Sequence, residues 1–310
     1  MLDHLHIQNY RLFKDLKIDK LGQVNLIAGK NNTGKTALLE ALRIWASKAD
    51  RSVIDNILYH RDSFEKNRSY ENHQTLFGDL KKELKINNIA LKIENLKRFE
   101  LITKEFFKNG KVKNEITWIG NSEVYENPRE GVVYVSFKGE YEYNGWENFT
   151  IQEEDNVTEI LRLIEPKVID YRIVDSNKPV LRLNGYNQRQ SIKSLGDGVS
   201  RIFTIAFALV NAKNKTLIID EFEVGLHHSV QEQLWEIIFK YAKEWNIQVF
   251  ATTHSQDTVK AFSYVSSKDE YKDMGQYMRL QPSRKTGEIE AVIYPQDSLE
   301  NSLDLNLETR

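Results

Sequence analysis

Apolar residues recur along this chain with two spacings, and the alternation between them outlines an α/β protein. Residues 2–7 and 14–19 alternate apolar and polar as an edge hairpin does, and 24–28 is a continuous apolar run suited to a strand covered on both faces. Residues 89–119 read as two or three strands around a turn at 109–110, and 131–136 as a further strand. Helical spacing takes over at 156–165, where Val157, Ile160, Leu161 and Ile164 form one face and Pro166 stops the helix. Strands are predicted again at 168–174, 179–184 and 189–193, then a buried helix over 199–212 and a short apolar strand at 216–220. Ser229 and Glu232 have capping-box spacing ahead of a helix whose apolar face is Val230, Leu234, Ile237, Ile238 and Tyr241. A last core strand is expected at 247–253, whereas the polar stretch 50–88 reads as a surface insertion with a solvated charged helical face.

Between the strand at 24–28 and an apolar helical run at 37–46 lies GKNNTGKT, residues 29–36, which matches the pattern G-x-x-x-x-G-K-[ST]. Gly29 and Gly34 allow the tight turn that brings successive backbone N–H groups to phosphate oxygens, and the helix that follows adds its positive dipole end. Asn31, Asn32, Thr33 and Ala37 complete the expected cradle, Lys35 would reach the β and γ phosphates, and Thr36 would hold Mg²⁺. The strand and helix on either side are the context this motif requires, so the chain is expected to bind a nucleoside triphosphate.

Composition narrows the setting. With 28% charged and 40% hydrophobic residues in 310, the chain reads as a soluble globular protein of one large domain or two modest ones. A net charge of −2 argues against a strongly basic nucleic-acid surface, though it leaves a local DNA contact open. The absence of cysteine excludes disulfides, thiolate metal sites and a cysteine nucleophile. No apolar run approaches a membrane span and the N-terminus has no signal-like region, so no membrane association and a cytoplasmic location are expected.

Further chemistry lies in the C-terminal half. The strand at 216–220 ends in Asp220 and Glu221, where a nucleotide hydrolase needs one carboxylate for Mg²⁺ and another to orient and deprotonate water. His254 closes the next core strand, and the ends of adjacent parallel strands converge on one crevice, so it could reach a γ-phosphate or the attacking water. SLGDGVSR at 194–201 places two glycines before a buried helix, which makes a second anion-binding helix start.

Taken in order, these elements resemble the ABC-type ATPase head, and within it the stand-alone ATPases related to the OLD, RecF and SMC families. LDHLHIQNYRLFKDLKI is similar to their first hairpin, GKNNTGKT to Walker A, SLGDGVSR to the signature, LIIDEFEVGLH to Walker B with its D-loop, and VFATTHS to the switch-histidine strand. The resemblance implies an α/β P-loop NTPase fold: a single head over 1–310 with a mixed central sheet, an antiparallel β lobe and a helical signature lobe, and with insertion segments near 47–130 and 137–193. It implies ATP and Mg²⁺ as ligands, with Lys35, Glu221 and His254 catalytic and Thr36 and Asp220 on the metal. A homodimer would sandwich two ATP, with Ser194, Gly196, Asp197 and Gly198 closing on the partner's nucleotide. Gly196 stands where the family usually has serine, so either Ser194 or the backbone N–H groups of 196–198 would make that contact. His227 falls at a D-loop position often held by aspartate. Ser136 marks the expected Q-loop strand end, with Gln152 as second choice. Arg11 and Phe13 would lie beside the nucleotide and could stack on adenine.

Sustained heptads are missing between residues 36 and 194, which argues against an SMC-type tether. The stretch from His254 to Arg310 is too short for the C-terminal Toprim domain of full OLD proteins, so a nuclease-like effector would act in trans. By the same resemblance the chain is expected to regulate such an effector, Toprim-like or HNH, in bacterial anti-phage defence. A RecF- or SMC-like ATPase acting directly on DNA, and an ATP-dependent scaffold with little turnover, are the alternatives.

Overall fold

The computed structural model describes residues 1–59, 76, 82–96, 99–108, 111–119, 131–137, 149–174, 178–296 and 299. The chain forms two compact units, one of Met1–Leu21, Gly29–Val132 and Arg279–Ile293, the other of Gly22–Ala28, Val133–Met278 and Tyr294–Arg310.

In the first unit, β1 (Leu5–Tyr10) and β2 (Phe13–Ile18) form the predicted hairpin, with Tyr10 paired to Phe13 across a turn in which Arg11 takes φ +49°. The chain then passes through β3 (Val24–Gly29), the doubly covered strand, into α1 (Lys35–Ala46) and α2 (Arg51–Tyr59). Next come β4 (Leu84–Ile86), β5 (Ile89–Leu96), β6 (Phe99–Lys108) and β7 (Lys111–Ile119). These complete an antiparallel sheet in the order β2-β1-β4-β5-β6-β7. The three strands expected over 89–119 are present as β5 to β7, while the turn at 109–110 lies outside the described residues. The expectation of a solvated segment from residue 50 is corrected for α2: Val53, Ile54, Ile57 and Leu58 are buried, because their spacing puts all four on one face.

The second unit holds β8 (Val132–Val135), α3 (Ile151–Ile164), and a small antiparallel sheet of β9 (Val168–Val174), β10 (Lys178–Leu183) and β11 (Gln190–Ser191). It continues with α4 (Asp197–Asn211), β12 (Thr216–Ile219), α5 (His228–Glu244), β13 (Gln248–Thr253) and α6 (Gln256–Ser266). β14 (Gly275–Pro282) begins here and leads into β15 (Ile289–Tyr294). Strands β3, β13 and β12 are parallel neighbours: Val24 pairs with Val249, and Thr216 with Gln248. Their apolar sequences are fully buried, as a strand covered on both faces requires. The core between sheet and helices is aromatic, with Phe207 stacked on Phe149 at 4.8 Å and Trp235 on Phe222 at 4.2 Å. Among the described residues no helix is long and apolar enough to cross a membrane.

Helix ends depart from the sequence expectation in two places. α3 starts earlier than 156, at a capping box in which Thr150 and Glu153 satisfy each other's backbone N–H groups. α5 is capped by His227, whose Nδ1 accepts from the Ser229 N–H, and not by Ser229. The strand expected over 189–193 shrinks to two residues before a 3-10 turn, Ile192–Leu195.

Candidate active site

The phosphate loop starts at Gly29, where β3 ends. An added Cβ there would lie 2.6 Å from both the Leu280 carbonyl oxygen and the Thr33 hydroxyl, and at Gly34 it would lie 2.8 Å from the Phe13 ring. Both positions also have positive φ, so the loop takes a path only glycine can follow. The Lys30 carbonyl organises the turn, accepting from the Thr33 hydroxyl at 2.8 Å and from Lys35 Nζ at 3.0 Å; Lys35 also donates to the Gly29 carbonyl at 2.7 Å. Lys35 is therefore held inside the loop, 7% exposed, while Asn31, Asn32 and Thr36 are exposed and the Ala37 side chain is buried, leaving only its backbone for a ligand. α1 begins at Gly34 without a side-chain cap and without an acidic residue in its first turn. That is the arrangement an anion requires of a helix start.

The expected adenine contacts are not supported. Phe13 is 1% exposed and sits beneath Gly34, so its ring fills the underside of the loop and offers no face to a base. Arg11 pairs with the buried Glu40 at 2.9 Å and lies over the Tyr10 ring, while Tyr10 donates to the same carboxylate. Burial and the negative charge of Glu40 push the Tyr10 hydroxyl well above its ordinary range, so it stays a donor. Both residues of the hairpin thus brace the loop from within the first unit.

In the second unit, Asp220, Glu221 and His254 come together around two threonines. Asp220 is 2% exposed and its Oδ1 accepts from the Thr252 hydroxyl at 2.6 Å, while the Glu221 N–H donates to the same hydroxyl oxygen at 2.9 Å. One side chain thereby orients both acidic residues. Glu221 takes φ +48°, a left-handed conformation uncommon outside glycine, and its Oε1 lies 3.7 Å from His254 Nε2. Glu223 clamps the adjoining turn: its carboxylate accepts from the Thr253 hydroxyl at 2.8 Å and from the His254 N–H at 2.7 Å. Thr253, the residue before His254, pairs in register with Ala28, the residue before Gly29.

The glycine run opens α4. Gly196 is its N-terminal flanking residue at φ +97° and ψ 163°, exposed and without a side-chain cap, and an added Cβ would meet nothing. The missing serine has a backbone reason: this conformation is essentially confined to glycine. Ser194 is exposed and its hydroxyl donates to the Ser191 carbonyl at 2.7 Å. Gly198 approaches Gly225, whose carbonyl would lie 3.0 Å from an added Cβ. Beside them is a largely apolar pocket of about 250 Å³, lined in part by Val199, Ile202, Val230 and His227. Gly196→Ser is expected to lower thermal stability by about 1–3 kcal/mol without raising turnover, measured by denaturant melts and phosphate release. A serine variant as stable as the parent and faster would sink this reading.

Residues 1–131 match a family model described as "AAA ATPase domain", and residues 148–259 a second, "AAA domain, putative AbiEii toxin, Type IV TA system". An "ATP/GTP phosphatase" of Helicobacter pylori is 26% identical in an alignment that spans 86% of this chain and 88% of that protein. The chain is a P-loop ATPase. A "DNA replication and repair protein RecF" of Clostridioides difficile is 31% identical over 31% of this chain and 28% of its own. The Smc head domain with an extended coiled coil bound to the C-terminal domain of ScpA, derived from Pyrococcus furiosus, shares the fold, with TM-score 0.54 at 11% identity over 98% of each chain.

Within this ATPase, sequence reasoning missed Thr252, Glu223 and Arg201. Arg201 of α4 is buried and donates to the carbonyls of Ser136, Asp220 and Glu221. The doubled threonine before His254 and the second glutamate of DEFE were visible signals for two of them. Ser136 does lie at the end of β8 against this cluster, whereas Gln152 is exposed on α3 and bonded to Asn156.

Proposed function

We propose that this ATPase is a homodimeric, nucleotide-timed switch, in which the phosphate loop and the carboxylate cluster serve one ATP and the glycine run of one subunit closes on the nucleotide of the other. The observation that carries the reading is the Thr252-centred pairing of Asp220 with Glu221, at the end of a strand whose neighbour is in register with the strand feeding Gly29. Gly29, Asn31 to Gly34 and the start of α1 bind the phosphates, and Lys35 neutralises the β and γ oxygens. The donor types suit a hard cation: on this reading the Thr36 hydroxyl and the Asp220 carboxylate would hold Mg²⁺, which would supply charge neutralisation at the phosphoryl oxygens. Glu221 accepts the proton of the attacking water, and His254 shares the orientation of that water. The open, uncapped start of α4 at Gly196 and Asp197 supports closure on a second subunit, with the Gly198 backbone and Ser194 as the contacting groups.

For the biological setting, we favour regulation of a nuclease-like protein in trans in bacterial defence. The support is the resemblance of the motif set to such ATPases, together with the toxin description of the matched family. Cytoplasmic action is part of this reading. The RecF alignment motivates direct action on DNA as the second reading.

Sedimentation of the purified protein with Mg²⁺ and a non-hydrolysable ATP analogue tests the switch. A monomer–dimer shift that ADP does not cause is expected, and a mass unchanged by nucleotide would overturn it. Turnover assays with added duplex DNA separate the settings, since several-fold stimulation by DNA favours the second.

A further inference from the structure

Arg201 is the one charged side chain of α4 that is buried, at 3% exposure, and among the described residues it forms no hydrogen bond to a carboxylate. Its two terminal nitrogens are spent on backbone oxygens instead. Nη1 donates to Ser136 O at 2.6 Å, and Nη2 to Asp220 O at 2.7 Å and Glu221 O at 3.0 Å. Its Nε is buried and has no hydrogen-bond partner among the described residues. Burial pulls the guanidinium below its ordinary range, and the nearby negative charges of Asp220, then Glu223 and Glu221, hold it up. A buried cation so placed is costly, and an apolar residue would fill the same space more cheaply.

Its geometric effect falls on Glu221. That residue keeps a left-handed backbone, φ +48°, which persists only where its surroundings over-determine it. The Thr252 hydroxyl holds its N–H and Arg201 holds its carbonyl, so the peptide groups on both sides of the Glu221 Cα are pinned. Arg201 stands three residues beyond Gly198 on the helix that the glycine run opens. A shift of that helix start is therefore transmitted to the carboxylate turn through one planar fork, a geometry that lysine cannot reproduce.

We propose that Arg201 is a positioning residue for hydrolysis: it couples the glycine run of α4 to the direction of the Glu221 side chain and takes no part in binding ATP. This rests on the reading above, in which Glu221 serves the hydrolytic step. Arg201→Lys keeps the charge but not the fork, and Arg201→Gln keeps donors but not the charge. For both, kcat per ATP-binding site is expected to fall about 10- to 100-fold, with KM for ATP within about threefold of the parent. The rise in melting temperature on adding ATP should remain. A merely structural role predicts the reverse, a lower melting temperature with unchanged kcat per bound ATP, and that result in whichever variant folds overturns the proposal. Glu221→Gln assayed alongside separates the two failures. If Glu221→Gln is inactive and the Arg201 variants are fully active, the Arg201 inference alone is lost; if Glu221→Gln turns over normally, the carboxylate reading falls and takes the inference with it.

Discussion

Glu221→Gln is expected to lower steady-state ATP turnover by about 10²–10⁴-fold, the usual contribution of a positioned general base, while ATP binding is retained. Glutamine keeps the length and shape of the side chain and tolerates φ +48° no worse than glutamate, so the Thr252 contact to the backbone N–H survives. What is lost is an oxygen able to take a proton, about 3–5 kcal/mol of transition-state stabilisation at 1.36 kcal/mol per tenfold. Asp220, 2% exposed and bound to Thr252, is untouched, so the proposed Mg²⁺ site remains. Phosphate release and equilibrium binding of a fluorescent ATP analogue check the two halves of the claim. Turnover within about fivefold of the parent would remove Glu221 from the chemistry and leave His254 or bound water as the base.

Lys35→Ala should behave differently, losing binding and turnover together. The ammonium, 7% exposed, is held by the carbonyls of Gly29 and Lys30, so it is already positioned inside the loop. Each charge-assisted bond it makes to a phosphate is worth about 1.5–3 kcal/mol, so affinity should fall at least tenfold per lost contact. At an ATP concentration about 100-fold above Kd, the parent gains about 2.7 kcal/mol of stability, seen as a rise in melting temperature. That rise should survive Glu221→Gln and vanish in Lys35→Ala. A Lys35→Ala protein stabilised by ATP as strongly as the parent would contradict the assignment of this loop.

Much of the site was legible because its chemistry is local. GKNNTGKT needs only its own glycines and its flanking strand and helix, and the structure places them as expected: β3 ends on Gly29 and α1 starts at Lys35. The strand ending at Asp220 and Glu221 and the strand ending at His254 are similarly announced by short apolar runs. Errors cluster where a partner lies far away in sequence. By resemblance Phe13 could stack on adenine, but the tertiary fold turns it under Gly34. The stretch from residue 50 read as solvated, because the apolar residues of α2 are diluted by charge and only their common face makes them core. His227 replaced Ser229 as the cap of α5 because its extended backbone, φ −69° and ψ 144°, lets the ring reach the first helical turn.

The sequence by itself determined that a strand, a glycine-built phosphate loop and a helix follow one another, and that two core strands end in carboxylates and in histidine. Such features depend on backbone preferences and burial patterns a few residues long. Only the tertiary structure decided that Thr252 bridges Asp220 and Glu221, that Glu223 clamps His254, and that Arg201 reaches Ser136, Asp220 and Glu221. Those contacts join residues 19 to 65 positions apart. The Thr252 and Glu223 contacts exist because β12 and β13 are parallel neighbours in one register, with Ile219 beside Ala251. A shift of one residue would turn Thr252 to the opposite face of the sheet, and no local pattern specifies which strand lies alongside.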